Sequence, residues 1–234
     1  MHAIGFDHVR LSIDSVIFQC DGPWNQCEHV QLLDEVIAKT LAQDLAVIID
    51  IHPAGDYKRQ LSSSDGALEK FTLLWRRIAG YYANQNHEMA FFEVLNEPEV
   101  AVYRWSGIQL GVVEAIRQAA PQHTIIVTCG EYSNPDDLVR MPEVADTNYI
   151  VNFHYYQPHI FTHQGASWGE AYWATLQQVP FPARRTKWQL QLQSKPVIGQ
   201  AGSSHNMAWT TGMPTTSPAK SDLSRSGLNG GLCR

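Results

Sequence analysis

The run Leu45-Ala46-Val47-Ile48-Ile49-Asp50-Ile51-His52 constrains the fold more than any other segment of this chain. It is nearly continuously apolar and ends in polar groups. A strand with one wet face alternates apolar and polar residues, whereas a continuous run reads as a strand covered on both faces, as in a parallel sheet flanked by helices. The pattern recurs. Val9–Ile13, after Gly5-Phe6, reads as a short strand, as do Met89–Leu95, Thr124–Thr128 and Tyr149–Tyr155. Between them lie helical spacings: residues 28–43, with Leu32, Leu33, Val36, Ile37 and Leu41 on one face; residues 66–85, with Phe71, Leu74, Trp75 and Ile78; and Trp105–Ala120, stopped by Pro121. Alternating strands and helices predict an α/β fold with a parallel sheet. A doubly wound sheet has the same periodicity but usually carries a Gly-rich phosphate loop after an early strand, and none is visible.

Polar side chains gather at the predicted strand ends: Arg10, His52, Asn96-Glu97, and His154 with Tyr156. In (β/α)8 barrels chemistry collects at those ends. Hydrolysis of a glycosidic bond needs two carboxyl groups. One donates a proton to the leaving oxygen; in retaining enzymes the other attacks from roughly 5–5.5 Å away. Glu97 suits the first role, because partial desolvation at the end of an apolar strand would raise its pKa. Asn96 is placed to bond a sugar 2-hydroxyl. The Asn-Glu-Pro triplet also reads as a plain strand-end turn. His52, His154 and Glu97 together would suit zinc, but no HxH or HExxH accompanies them, so neither metal nor cofactor is expected.

GFDHVRLSI, the strand ending DIH, LNEP and FHYYQPHIFTHQGASW occur in that order. Together they closely resemble glycoside hydrolase family 5, the cellulase family, over about residues 3–182. The resemblance implies a (β/α)8 barrel, a retaining mechanism and β-linked glucan substrates. It implies Glu97 as acid/base with Asn96 beside it, and Arg10 near the nucleophile. His52 falls at the subsite floor, and His154 and Tyr156 pair on the sixth strand, Tyr156 reaching toward the nucleophile. His163, Gln164 and Trp168 fall in the loop that lines the cleft. Trp24 and Trp168 read equally as sugar platforms, through the flat face of an indole, or as loop-packing residues. On this basis the chain is a partial (β/α)8 TIM barrel, about strands 2–6 of eight, over residues 1–183, followed by an irregular tail over 184–234.

Composition narrows the partners. Of 234 residues 44% are hydrophobic, and the seven Trp, nine Tyr and eight Phe do not belong to a disordered chain. A net charge of −6 argues against nucleic acid, and no apolar run approaches the length of about 18 residues that a membrane span needs. A β-glucan or related oligosaccharide is the expected partner, bound by a monomer. Cys20 and Cys27 are spaced either to bridge a loop in an oxidising compartment or to stand as free thiols. The start MHAIGFDHVR lacks the pattern of a signal peptide, which leaves localisation open.

Composition breaks near Ala183. Residues 1–183 hold 22 of the 23 acidic residues and every Tyr and Phe, with a charge of −12, whereas 184–234 carry +6. The family pattern places the second carboxylate after the seventh strand. The nearest match, KPVIGQAG, puts Gln200 there, and an amide cannot act as that nucleophile. This describes a pseudoenzyme. The favoured account is a change of reading frame: taking the third base of each codon with the next two makes Trp209-Thr210 encode Asp, Met207-Ala208 Gly and Met213-Pro214 Ala, part of a family-like segment. The first strand and the nucleophile are then expected to lie outside the chain, and the open sheet edges to favour aggregation. A non-catalytic sugar-binding chain is the alternative function, and a metal-dependent barrel hydrolase a weaker one.

Overall fold

A computed structural model describes residues 4–182. The chain divides into two units, Met1–Val179 and Pro180–Arg234, and the second falls almost wholly outside the described residues. The expected tail at 184–234, and Gln200 within it, lie outside them too.

Five strands, β1 (His8–Ile13), β2 (Ala46–Ile51), β3 (Ala90–Glu93), β4 (Ile125–Thr128) and β5 (Tyr149–Asn152), form one sheet. All four pairings are parallel. Helix α1 (Glu28–Leu41) follows β1, α2 (Gly55–Ser63) and α3 (Asp65–Tyr82) follow β2, and α4 (Val102–Ala119) follows β3. The spatial order β1-β2-β3-β4-β5 never reverses. A doubly wound sheet reverses at its switch point; a sheet that always steps one way is a segment of a (β/α)8 barrel.

Register sorts the side chains. Val47, Ile49, Ile51, Phe92, Ile125 and Val127 are fully buried and form one core with Val30, Ile37, Phe71, Trp75, Ile78 and Trp105 of the helices. The opposite face carries Arg10 opposite Ile48 and Phe91, then Asp50 opposite Glu93, Ile126 and Ile150. The continuous apolar β2 therefore buries one set of residues under helices and turns the other into the concave face, where a cavity of about 520 Å³ is lined by His8, Arg10, Ile48, Phe91, Glu93 and Asn152 among others.

Each expected strand and helix is present, with shifted ends. α4 starts at Val102 rather than Trp105. The stretch before α3 forms a further helix, α2, whose sequence GDYKRQLSS offers only Tyr57 and Leu61 as apolar residues and buries only Lys58 and Leu61. Ser64 separates the two helices by capping α3, its hydroxyl accepting from Ala67 N–H at 3.2 Å. β5 ends at Asn152, and among the described residues it pairs only with β4. Cys20 and Cys27 are joined in a disulfide that closes the loop before α1; Cys129 is free and buried.

Candidate active site

Three anchors fix the strand ends. Trp75 Nε1 donates to Val94 O and Trp105 Nε1 to Thr128 O, both at 2.8 Å, tying α3 and α4 to the backbone of the adjacent strands. Asn96 N–H bonds Ile51 O at 2.9 Å, so the Asn-Glu-Pro turn leaves directly from the sheet. Glu97 then takes a left-handed backbone, φ 44°, a conformation uncommon for non-glycine residues and found at sites held by their surroundings. The turn beyond it is clamped by the loop after β4: Glu131 N–H bonds Val100 O and Tyr132 N–H bonds Pro98 O, each at 3.0 Å. Gly130 makes this approach feasible, because a Cβ there would overlap the Val100 carbonyl oxygen. His154 N–H bonds Ser133 O in the same loop at 2.8 Å.

On this frame the side chains converge. His154 Nδ1 lies 2.7 Å from Glu97 Oε1. Arg10 forks onto Glu93, with Nε to Oε2 at 2.6 Å and Nη2 to Oε1 at 2.8 Å, and reaches Asn96 Oδ1 at 3.1 Å and Asp50 Oδ2 at 3.0 Å. A guanidinium only donates, so Asn96 turns its carbonyl to Arg10 and its amide nitrogen to His52 Nε2, 2.9 Å away. That leaves the His52 proton on Nδ1, 3.1 Å from Asp50 Oδ2. Arg10, Asn96, His52 and Asp50 thus close a ring of three hydrogen bonds and one ion pair beside Glu97.

Charge follows from this geometry. Burial, reinforced by Glu93 and opposed by Arg10, pushes the Asp50 carboxyl up to about 8; its Oδ1 is buried without a protein partner among the described residues. Burial lowers His52, with Lys58 and Arg10 adding to it, so the imidazole is held neutral. Burial alone would lower the Arg10 guanidinium, but its bond to Glu93 and the nearby carboxylates raise it. Glu97 departs from the expectation of a raised pKa. The His154 hydrogen bond lowers it and outweighs the burial that raises it, with the Lys58 ammonium adding to the lowering. Tyr156 is raised by burial and by Glu97.

The predicted residues separate into two groups. Arg10, His52, Asn96, Glu97 and His154 share one network, and Tyr156 meets the His154 ring edge-on at 6.2 Å. His163 packs between Tyr156 (5.3 Å), Trp168 (5.0 Å) and Trp173 (4.6 Å), and Trp168 is 64% exposed. Gln164 is not free to line a cleft: its amide donates to Phe161 O at 2.8 Å and accepts from Val179 N–H at 2.7 Å, stapling its own loop. Trp24 is not a platform either. It is 5% exposed, with Phe18 at 4.8 Å, Tyr81 at 5.8 Å and the Arg77 guanidinium over its ring at 4.3 Å, because the turn at Trp24–Gln26 folds back under α1 and α3.

Sequence reasoning passes over Asp50, Glu93 and Asn152. Asn152 Nδ2 donates to Glu93 Oε1 at 2.8 Å and lies 3.5 Å from His154 Nε2. A local signal exists: Asp50 and Asn152 each stand two residues before a strand-end histidine, and period two puts them on its face. Lys58 and Glu99, 4.0 Å apart and flanked by Arg59, carry no such signal.

Comparison with known proteins agrees with the fold. The family model described as cellulase (glycosyl hydrolase family 5) matches residues 1–212. Endoglucanase C of Acetivibrio thermocellus is 31% identical over 190 residues, covering 77% of this chain and 55% of the relative. Cellodextrinase A of Ruminococcus flavefaciens is 31% identical over 175 residues, 70% of this chain and 51% of the relative. The chain spans about half the length of these curated relatives. Among solved structures, endoglucanase Cel5A of Thermotoga maritima superposes with a TM-score of 0.68 at 30% identity, over 81% of this chain and 61% of that one. The same enzyme in complex with mannotriose gives 0.67 at 28%, over 82% and 62%. With its one-directional parallel sheet and its strand-end cluster around Asn96-Glu97, the chain belongs to the cellulase family, glycosyl hydrolase family 5.

Proposed function

We propose that this chain carries the acid/base half of a retaining endo-β-1,4-glucanase site, with Glu97 as general acid and then general base. The observation that carries the reading is the Glu97 carboxyl at a strand end, left-handed in its backbone and held 2.7 Å from His154 Nδ1. Asn96, its amide oriented by Arg10, is the contact for a sugar 2-hydroxyl, and its neighbour His52 lines the floor. Tyr156, His163 and Trp168 line the cleft beyond. Resting Glu97 is charged; a pyranose covering it excludes water and raises its proton affinity toward the donor form. Substrates are β-glucans or mannans, since related Cel5A structures hold cellobiose and mannotriose.

A second reading, sugar binding without turnover, is favoured by one observation. Asp50 and Glu93, the carboxylates wired into the same network, are 0% and 1% exposed and held by Arg10, which makes them poor nucleophiles. A retaining mechanism needs a second, free carboxylate; among the described residues these two do not supply it. The test measures cello-oligosaccharide binding, together with release from an aryl β-cellobioside with and without azide, a small anion that substitutes for an absent nucleophile. Azide-dependent release that disappears in Glu97→Gln supports the first reading, binding with no release supports the second, and chelator-sensitive release would point to a metal. Neither binding nor release overturns both carbohydrate readings.

A further inference from the structure

We propose that Glu93 and Asn152 are positioning residues that place the ring proton of His154 on Nδ1, so that Glu97 Oε2, not Oε1, carries the proton passed to the leaving group. The first half stands on geometry alone; the consequence for Oε2 rests on reading Glu97 as the general acid.

The argument is a chain of one-way constraints that starts at Arg10. A guanidinium has five donors and no acceptor. Its fork occupies both oxygens of Glu93, at 2.6 and 2.8 Å, so both accept. Glu93 Oε1 also receives the Asn152 side chain at 2.8 Å. An acceptor oxygen must face the NH₂ end of an amide, which fixes the amide: a flipped Asn152 would set its carbonyl against an oxygen that already accepts. The same NH₂ faces His154 Nε2 at 3.5 Å. A donor there disfavours a second N–H, so Nε2 keeps its lone pair. A neutral imidazole has one proton, which is then on Nδ1, 2.7 Å from Glu97 Oε1. The backbone bond of His154 to Ser133 O prevents the residue from withdrawing.

The same logic runs through Asn96 to His52. Arg10 therefore sets the proton position on both histidines, by two independent asparagines, and each ring ends on Nδ1–H. Glu97 Oε1 accepts from His154, and a proton on Oε1 would confront that N–H. The transferable proton takes Oε2, and His154 holds the carboxyl in the orientation that presents it.

Nitrogen-15 NMR of the histidine rings tests this without any turnover. With the chain labelled at histidine and the His154 signals identified by their loss in His154→Gln, long-range proton–nitrogen correlations at neutral pH should show Nε2 unprotonated and Nδ1 protonated. An Nε2–H ring or an imidazolium at His154 overturns the proposal. In Asn152→Asp a carboxylate faces Nε2, and the proton signal should move to Nε2 or appear on both nitrogens; an unchanged Nδ1–H ring there also overturns it. Should Asn152→Asp fail to fold, the wild-type spectrum decides alone. An inactive chain with the predicted spectrum would remove the glycosidase reading and leave the proton placement standing.

Discussion

His154 Nδ1 and Glu97 Oε1, 57 residues apart in sequence, meet at 2.7 Å, and this one contact decides the charge of Glu97. Replacing His154 with Leu removes the largest influence that lowers the Glu97 pKa while leaving the burial that raises it. The carboxyl should then titrate at higher pH than in the wild type, followed directly by carbon-13 NMR of the Glu97 side chain. Because a depressed folded pKa stabilises the native state above the unfolded pKa, the wild type should also lose stability as pH falls through the Glu97 titration, and the variant should lose less. An unmoved titration would mean that the contact does not govern Glu97.

Asp50 predicts the opposite dependence. Its folded pKa is raised from 3.8 to about 8, so the folded state binds a proton more tightly than the unfolded one. The resulting stability is complete below the unfolded pKa and is lost as pH rises through about 8. Unfolding free energies from urea melts taken from pH 5 to pH 9 should fall, by roughly 1–5 kcal/mol in all. Asp50→Asn, which keeps a neutral side chain of the same shape, should flatten the slope.

Two tryptophans should behave differently. Trp24 is buried against Phe18 and Tyr81, so Trp24→Ala should cost about 3–5 kcal/mol of stability, with any loss of sugar binding explained by unfolding. Trp168 is 64% exposed. Trp168→Ala should leave the unfolding free energy from urea melts within roughly 0.5 kcal/mol of wild type, while weakening cello-oligosaccharide binding several-fold by calorimetry.

Gly130→Ala should disturb the site from a distance. The added methyl would collide with the Val100 carbonyl, which anchors the turn beyond Glu97 through Glu131 N–H. A destabilisation of about 2 kcal/mol or more is expected in denaturant melts, with broadened Glu97 and His154 resonances ahead of global unfolding.

Reducing the Cys20–Cys27 disulfide opens a loop with a sequence separation of seven residues. Loop-closure entropy for so short a loop is about 2–3 kcal/mol. The melting temperature should drop on reduction, and Cys20→Ser with Cys27→Ser should reproduce that drop.

The sequence by itself determined the order of elements and the location of chemistry. Apolar runs such as Leu45–Ile51, the helical spacing of Phe71, Trp75 and Ile78, and the polar tips Arg10, His52, Asn96-Glu97 and His154 are local patterns, because a strand two residues in period and a helix of 3.6 report their buried faces within a few positions. The α2 helix escaped because its nine residues carry only two apolar side chains, Tyr57 and Leu61, too few to mark a face. The remainder depends on partners far along the chain. Trp24 reads the same in a loop or a cleft until Tyr81 and Arg77 arrive to cover it. Gln164 looks like a sugar contact until Val179 takes its amide. Desolvation at a strand end favours a raised Glu97 pKa, and a histidine on another strand reverses it. Asp50, Glu93 and Asn152 look like stray polar residues within strands until Arg10 collects the two carboxylates and Glu93 in turn takes the Asn152 amide. Burial and hydrogen-bond direction are set by residues 15 to 86 positions away, and short-range pattern cannot carry that information.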